Sequence, residues 1–126
     1  MGQLRTPSDR MIEDFTDIDL AHEAAFVAVI PEGTRERIIG VSRYGTDRDG
    51  GNCEFAVTVS DDWQGKGLGT LLMKHLIEVA KARGIHSLTS TDFAENMPMN
   101  DLARHLGFHS RVDPDDAPQV IHQLDL

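Results

Sequence analysis

The apolar and polar positions change rhythm halfway along the chain. Ala24-Ala25-Phe26-Val27-Ala28-Val29-Ile30 is a nearly unbroken apolar run of strand length. Pro31-Glu32-Gly33-Thr34 carries a turn signal, and residues 37–44 read as the returning strand. Thr46 to Asn52 forms a longer turn, and Cys53 to Val59 a third strand, so the first half predicts an antiparallel meander. Leu68, Leu71, Leu72, His75, Leu76, Val79 and Ala80 then fall at i, i+3, i+4 spacing. That period predicts an amphipathic helix from Leu68 to Arg83, stopped by Gly84. Ser87 to Thr91 reads as a strand, and Met97-Pro98-Met99 starts a second helix, with proline in its first turn, that runs to Gly107. Two final strands, one from Phe108 and one over Gln119 to Leu124, flank the Asp113-Pro114-Asp115-Asp116 turn. Ahead of everything, Met11 to Phe15 reads as a short helix capped by Ser8 or Asp9. The order α-β-β-β-α-β-α-β-β, without repeat or linker, predicts one α+β domain over residues 1–126.

Composition narrows the classes of function. A chain of 126 residues makes one core, and 40% hydrophobic with 26% charged content is ordinary for a soluble domain. No apolar stretch approaches the roughly 18–20 residues that span a bilayer, and the N-terminus lacks the apolar region of a signal peptide. A single cysteine, Cys53, precludes an intrachain disulfide, and a cytoplasmic location is expected. A net charge of −9 argues against a nucleic-acid binder and is compatible with a cationic partner. A polyanionic ligand then needs a local exception, which Lys66 and Lys74 could supply.

The candidate chemistry lies between the third strand and the first long helix, in Gln64-Gly65-Lys66-Gly67-Leu68-Gly69-Thr70. Alternating glycines opening a helix leave backbone N–H groups bare beside the positive end of the helix dipole, a place suited to phosphate. The dinucleotide pattern G-x-G-x-x-G fails because Thr70 occupies the third glycine position and antiparallel strands precede the loop. The P-loop pattern fails because no Ser or Thr follows Lys66.

Gln64-x-x-Gly67-x-Gly69 after Glu54-Phe55-Ala56-Val57-Thr58-Val59 resembles the acyl-CoA signature Q/R-x-x-G-x-G/A of the GNAT acetyltransferase superfamily. Ala94-Glu95-Asn96-Met97-Pro98-Met99 and Leu106-Gly107-Phe108 are similar to that superfamily's next helix and its closing Gly-Phe, so the likeness covers about residues 25–124. Phe15-Thr16-Asp17-Ile18-Asp19, the Ile39 strand and the Glu54 strand resemble the Pat-type protein lysine acetyltransferases. The resemblance implies the GNAT fold, a mixed central sheet with an antiparallel N-terminal meander flanked by helices. The family's usual first strand and helix find no room before residue 24, so either a homodimer or a rearranged N-terminus is expected to cover the sheet edge.

The resemblance also assigns roles. Gln64, Gly65, Lys66, Gly67, Leu68, Gly69 and Thr70 cradle the pyrophosphate of acetyl-CoA, with Gly67 and Gly69 bare so that phosphate oxygens approach closely. Val57, Thr58 and Val59 offer main-chain groups to the pantetheine arm, which adds like a strand. Asn96 either bonds that arm or caps its helix. Glu54 is the candidate general base, its pKa expected to be raised by burial beside Phe55, Val57 and Val59. Ala103 stands where many members have the tyrosine acid, and the chain's one tyrosine, Tyr44, is on another strand. The six histidines form no metal site by spacing, and His75 reads as semi-buried in the core. Nothing places a histidine beside Cys53, so direct transfer is expected rather than an acetyl-cysteine intermediate. Asp19, His22 and Glu23 would line the acceptor entrance. The acceptor is expected to be a protein lysine, with a small amine or a non-catalytic acyl-CoA-binding module as alternatives.

Overall fold

The computed structural model describes residues 6–14, 23–46, 51–116 and 118–126. The elements run β1 (Ile12–Asp14), β2 (Glu23–Glu32), β3 (Arg35–Thr46), β4 (Asn52–Val59), α1 (Leu68–Ala82), β5 (Ser87–Phe93), α2 (Met97–His105), β6 (His109–Val112) and β7 (Gln119–Asp125). They make one seven-stranded sheet of order β1-β2-β3-β4-β5-β7-β6. All neighbours are antiparallel except β4 and β5, whose parallel pairing is the reason a crossover helix, α1, must connect them. The α+β class, the mixed sheet and the meander are as the sequence predicts.

The N-terminus differs. Asp9–Met11 is a single 3-10 turn, and Ile12 to Asp14, expected as helix, is a strand antiparallel to β2. Ile12 pairs with Ala28 and Asp14 with Phe26. The unpaired edge of β2 captures a segment too short to nucleate a helix, which rearranges the N-terminus over part of that edge. Phe15 to His22, including Asp19 and His22, lies outside the described residues.

Alternation along the strands sorts the two faces. Phe26, Ser42 and Val57 share one face through the β2–β3 and β3–β4 registers, as do Tyr44 and Phe55, Cys53 and Leu88, and Ser90 and His122. Helix α1 packs there with Leu68, Leu72, Met73, Leu76 and Ala80 all buried, and the Ser42 hydroxyl donates to the Leu72 carbonyl at 3.0 Å. Burial of each such Leu or Met side chain stabilises the fold by about 1.5–3 kcal/mol. Helix α2 lies on the same face, adding buried Met99 and Ala103, while the Phe55 and Phe108 rings meet at 5.2 Å. His75 is half-buried as expected, stacked near Phe26 and hydrogen-bonded to Asp9 at 2.8 Å. The opposite face holds Arg43, Glu54, Ala56, Thr58, Thr91 and Phe93, all exposed.

Candidate active site

Strands β4 and β5 pair only at Asn52↔Ser87, Cys53↔Leu88 and Glu54↔Thr89, and then part. Beyond Glu54, β4 continues to Val59 against β3, while β5 continues to Phe93 against β7. The gap between them is a fork whose β4 and β5 edges have, among the described residues, no strand across from them. Above it a cleft of about 520 Å³ opens between the start of α1 and one side of α2. Its walls include Val57, Thr58 and Val59 of β4, the glycine loop, Asp92 of β5, and Asn96 with the first turns of α2.

The loop is set by a brace behind it. Arg37 of β3 donates to both carboxylate oxygens of Asp62, at 2.9 and 2.8 Å, and to the Ser60 hydroxyl at 2.7 Å. Ser60 in turn donates to Asp62 Oδ1 at 2.6 Å. The Arg37 hydrogen bonds first, and the Ser60 hydroxyl second, hold the Asp62 carboxyl well below the usual carboxylate range. After the turn, the Gln64 amide donates to the Val59 carbonyl at 3.2 Å. Gln64 therefore fixes the approach of the loop and occupies one of the main-chain acceptors expected for the pantetheine arm.

Gly65 and Gly67 have φ of +74° and +88°, in the left-handed region that only glycine enters at no steric cost. An added Cβ at Gly67 meets nothing within 4 Å, so what the fold demands there is backbone conformation rather than space. At Gly69 a Cβ would lie 3.4 Å from Leu102 Cδ2 and 3.7 Å from Val59 Cγ2, ordinary van der Waals distances, so α1 runs close to α2 and β4 there without excluding a methyl group. With Gly67 as N-cap, the first intrahelical bond is Leu71 N–H to Gly67 O at 3.1 Å. The N–H groups of Leu68, Gly69 and Thr70 precede that ladder and lie at the cleft wall, a main-chain cradle for an anion.

The structure gathers Val57, Thr58, Val59, Gln64, Gly65, Gly67, Leu68, Gly69, Thr70 and Asn96 around one cleft. Lys66 is not among the residues that line it; its ammonium stands 5.1 Å above the Trp63 ring, a cation–π contact. Asn96 accepts from Met99 N–H at 3.2 Å, so it is the N-cap of α2 and a cleft residue at once. Glu54 does not line the cleft and is not buried. Period-two alternation sends Cys53, Phe55 and Val57 to the helix side and Glu54 to the exposed side, so the expected burial beside Phe55 is absent. Glu54 nonetheless occupies the last paired position before the strands part. Cys53 is buried on the helix side. Tyr44 is buried, its phenol pushed up chiefly by desolvation, and its hydroxyl lies 3.5 Å from Arg83, away from the cleft. Among the described residues no group of three or more His, Cys, Asp or Glu side chains is arranged to hold a metal.

Sequence reasoning missed Asp92, Asp101 and His105 in the cleft lining and the buried His122 behind it. Alternation was the available signal for His122, which shares a side of β7 with Val120 and Leu124.

The acetyltransferase (GNAT) family profile matches residues 3–108. Acetyltransferase PA5475 of Pseudomonas aeruginosa is 44% identical over 126 residues, covering 100% of this chain and 68% of the relative. Acetyltransferase Pat of Mycolicibacterium smegmatis is 34% identical over 107 residues, 82% of this chain and 31% of the relative. The L-methionine sulfoximine/L-methionine sulfone acetyltransferase of Pseudomonas paraeruginosa is 33% identical over 106 residues, 74% of this chain and 62% of the relative. The chain thus spans about two thirds of two of these relatives and under a third of the other. Among solved structures, yncA of Salmonella typhimurium with acetyl-CoA superimposes with a TM-score of 0.69 and 26% identity, over 86% of this chain and 67% of that one.

Proposed function

The chain belongs to the GNAT acetyltransferase family, and we propose that it moves an acetyl group from acetyl-CoA to a primary amine, a protein lysine side chain. The observation that carries this reading is the fork: a phosphate cradle at its wide end and a carboxylate, Glu54, where its strands rejoin. The pyrophosphate binds the loop N–H groups, and the pantetheine lies along β4 as an added strand. The thioester then arrives beside Glu54.

A lysine amine has a pKa near 10.4, so only about one in 10³ is neutral near pH 7. Glu54 takes the ammonium proton, directly or through water, and the amine nitrogen attacks the thioester carbonyl. The new C–N bond forms, the C–S bond breaks, the nitrogen gives its second proton to solvent, and the CoA thiolate leaves and takes a proton from solvent; a thiol pKa near 8.5 makes it a competent leaving group. Among the described residues Glu54 is exposed on the sheet face away from the helices, which favours an acceptor presented on a large surface. A similarity of 33% to an acetyltransferase of amino-acid-sized substrates supports the second reading, a small amine. A cytoplasmic location is proposed with it, as is a homodimer through the part of the β2 edge that β1 leaves unpaired among the described residues.

The test measures CoA release with acetyl-CoA against a panel of lysine-bearing proteins and small amines, for the wild type and Glu54→Gln. Turnover is expected on a protein acceptor, with a loss of about 10²–10⁴ in kcat for Glu54→Gln and unchanged CoA affinity. Full activity in Glu54→Gln removes the base assignment. CoA binding without turnover on any acceptor replaces the enzyme reading with a regulatory acyl-CoA-binding module.

A further inference from the structure

The far wall of the cleft carries a carboxylate that the reaction above does not use. Asp92 lies three residues past the Glu54↔Thr89 pair, as Val57 does on β4, so the two stand across the fork from one another and both line the cleft. Asp92 Oδ2 accepts the Ser90 hydroxyl at 2.7 Å, and His122 Nε2 is 3.9 Å from the same oxygen. His122 is 1% exposed, and its neighbours fix its tautomer. Asn100 Nδ2 donates to the Ala94 carbonyl at 2.8 Å, which leaves Asn100 Oδ1 to accept from His122 Nε2–H at 3.1 Å. His122 Nδ1 then accepts the Ser110 hydroxyl at 2.6 Å. Burial pushes the imidazole pKa down, against the opposing pull of Asp92, so the ring is neutral and leaves the carboxylate charge uncompensated. Among the described residues, no hydrogen-bond donor reaches Asp92 Oδ1, and the side chain is 23% exposed, toward the cleft.

We propose that Asp92 is a donor-binding residue whose Oδ1 accepts a hydrogen bond from an N–H or O–H of the pantetheine arm, with Ser90 as its positioning residue. This rests on the acetyl-CoA reading of the cleft. The arm carries two amide N–H groups and a hydroxyl, and an ionised carboxylate is an acceptor only. A strand-like arm spends one edge on the main chain of β4 and turns the other toward β5, where Asp92 stands. The buried His122–Asn100 link ties the β5 side of the cleft to α2, so the carboxylate and the roof of the cleft keep a fixed relation.

The experiment compares Asp92→Ala and the isosteric Asp92→Asn with wild type by calorimetry, using CoA and, separately, adenosine 3′,5′-bisphosphate, which lacks the arm. Asp92→Ala is expected to bind CoA about 10- to 100-fold more weakly, the range for losing a hydrogen bond to a charged group. Its KM for acetyl-CoA rises by the same factor with kcat within about 2-fold, and its affinity for adenosine 3′,5′-bisphosphate is unchanged. Asp92→Asn, which keeps a neutral acceptor and the side-chain shape, falls between. Equal losses for both ligands would mark a purely structural role, and unchanged CoA affinity in both variants would remove Asp92 from the site; either overturns the proposal. Wild-type protein that binds no CoA overturns the acetyl-CoA reading itself, and that outcome is distinguishable because it precedes any substitution.

Discussion

Replacing Gly67 by alanine isolates one property of the loop, because the new methyl group has no neighbour within 4 Å. What remains is the backbone: φ +88° and ψ 7° lie in the left-handed region, which costs an L-residue with a Cβ roughly 1–2 kcal/mol. If the loop holds its shape, the whole cost falls on folding. For a domain of this size, between the classes that lose about 2–4 °C and 4–8 °C per kcal/mol, Tm drops by about 3–10 °C. If the loop relaxes instead, stability is kept but the N–H groups of Leu68, Gly69 and Thr70 turn away from the cleft. CoA affinity then falls about 5- to 30-fold, the same free energy read in binding. Thermal unfolding and calorimetry on one preparation measure both, and the two losses together should account for the strain. Gly67→Asn, whose side chain tolerates the left-handed region better, should recover part of the loss. Wild-type Tm together with wild-type CoA affinity in Gly67→Ala would refute the claim that this conformation matters.

Two pH effects follow from groups outside the chemistry. Arg37 and Ser60 depress the folded-state pKa of Asp62, so the pair's stabilisation is present above the unfolded value of about 3.9 and is lost as pH falls toward the folded one. Asp62→Asn should therefore have a lower Tm than wild type near neutrality at low salt, with the gap closing below about pH 3.9; a gap constant with pH would contradict the assignment. Burial depresses His122 as well, and here the unfolded chain is the better proton acceptor. Stability is then complete above the unfolded value of about 6.5 and declines as pH falls below it. The decline of Tm from pH 7 to 5 should be shallower in His122→Asn, and an identical slope in the variant would show that another group titrates.

The meander, the two helices and the loop between them were legible because each rests on local pattern. The predicted start of α1 at Leu68 is where it begins, and its end falls one residue short of Arg83, which caps it ahead of Gly84. The β1 segment was not legible: three residues carry no usable period, and what makes Ile12–Asp14 a strand is the edge of β2, a neighbour distant in sequence. The fork was hidden for a similar reason, since where β4 and β5 stop pairing is a property of register between two strands joined by a long crossover. The side chosen by Glu54 was available in the alternation Cys53-Glu54-Phe55-Ala56-Val57. Nearness to apolar neighbours in sequence suggested burial, whereas strand geometry sends adjacent residues to opposite faces. Alternation along β7 marked His122 as inward, but its orientation became visible only when α2 folded over the sheet, because Asn100, which orients it, comes from that helix.

The parting of β4 and β5 gives the sheet a slit, with the phosphate cradle on one side and Glu54 on the other. Two substrates that enter a partition from opposite sides do not compete for space. In kinetic terms, initial-rate plots at varied acetyl-CoA and acceptor should intersect rather than run parallel, and each substrate should bind the protein without waiting for the other. The acetyl group would cross the sheet through that slit in a single passage, never resting on the protein.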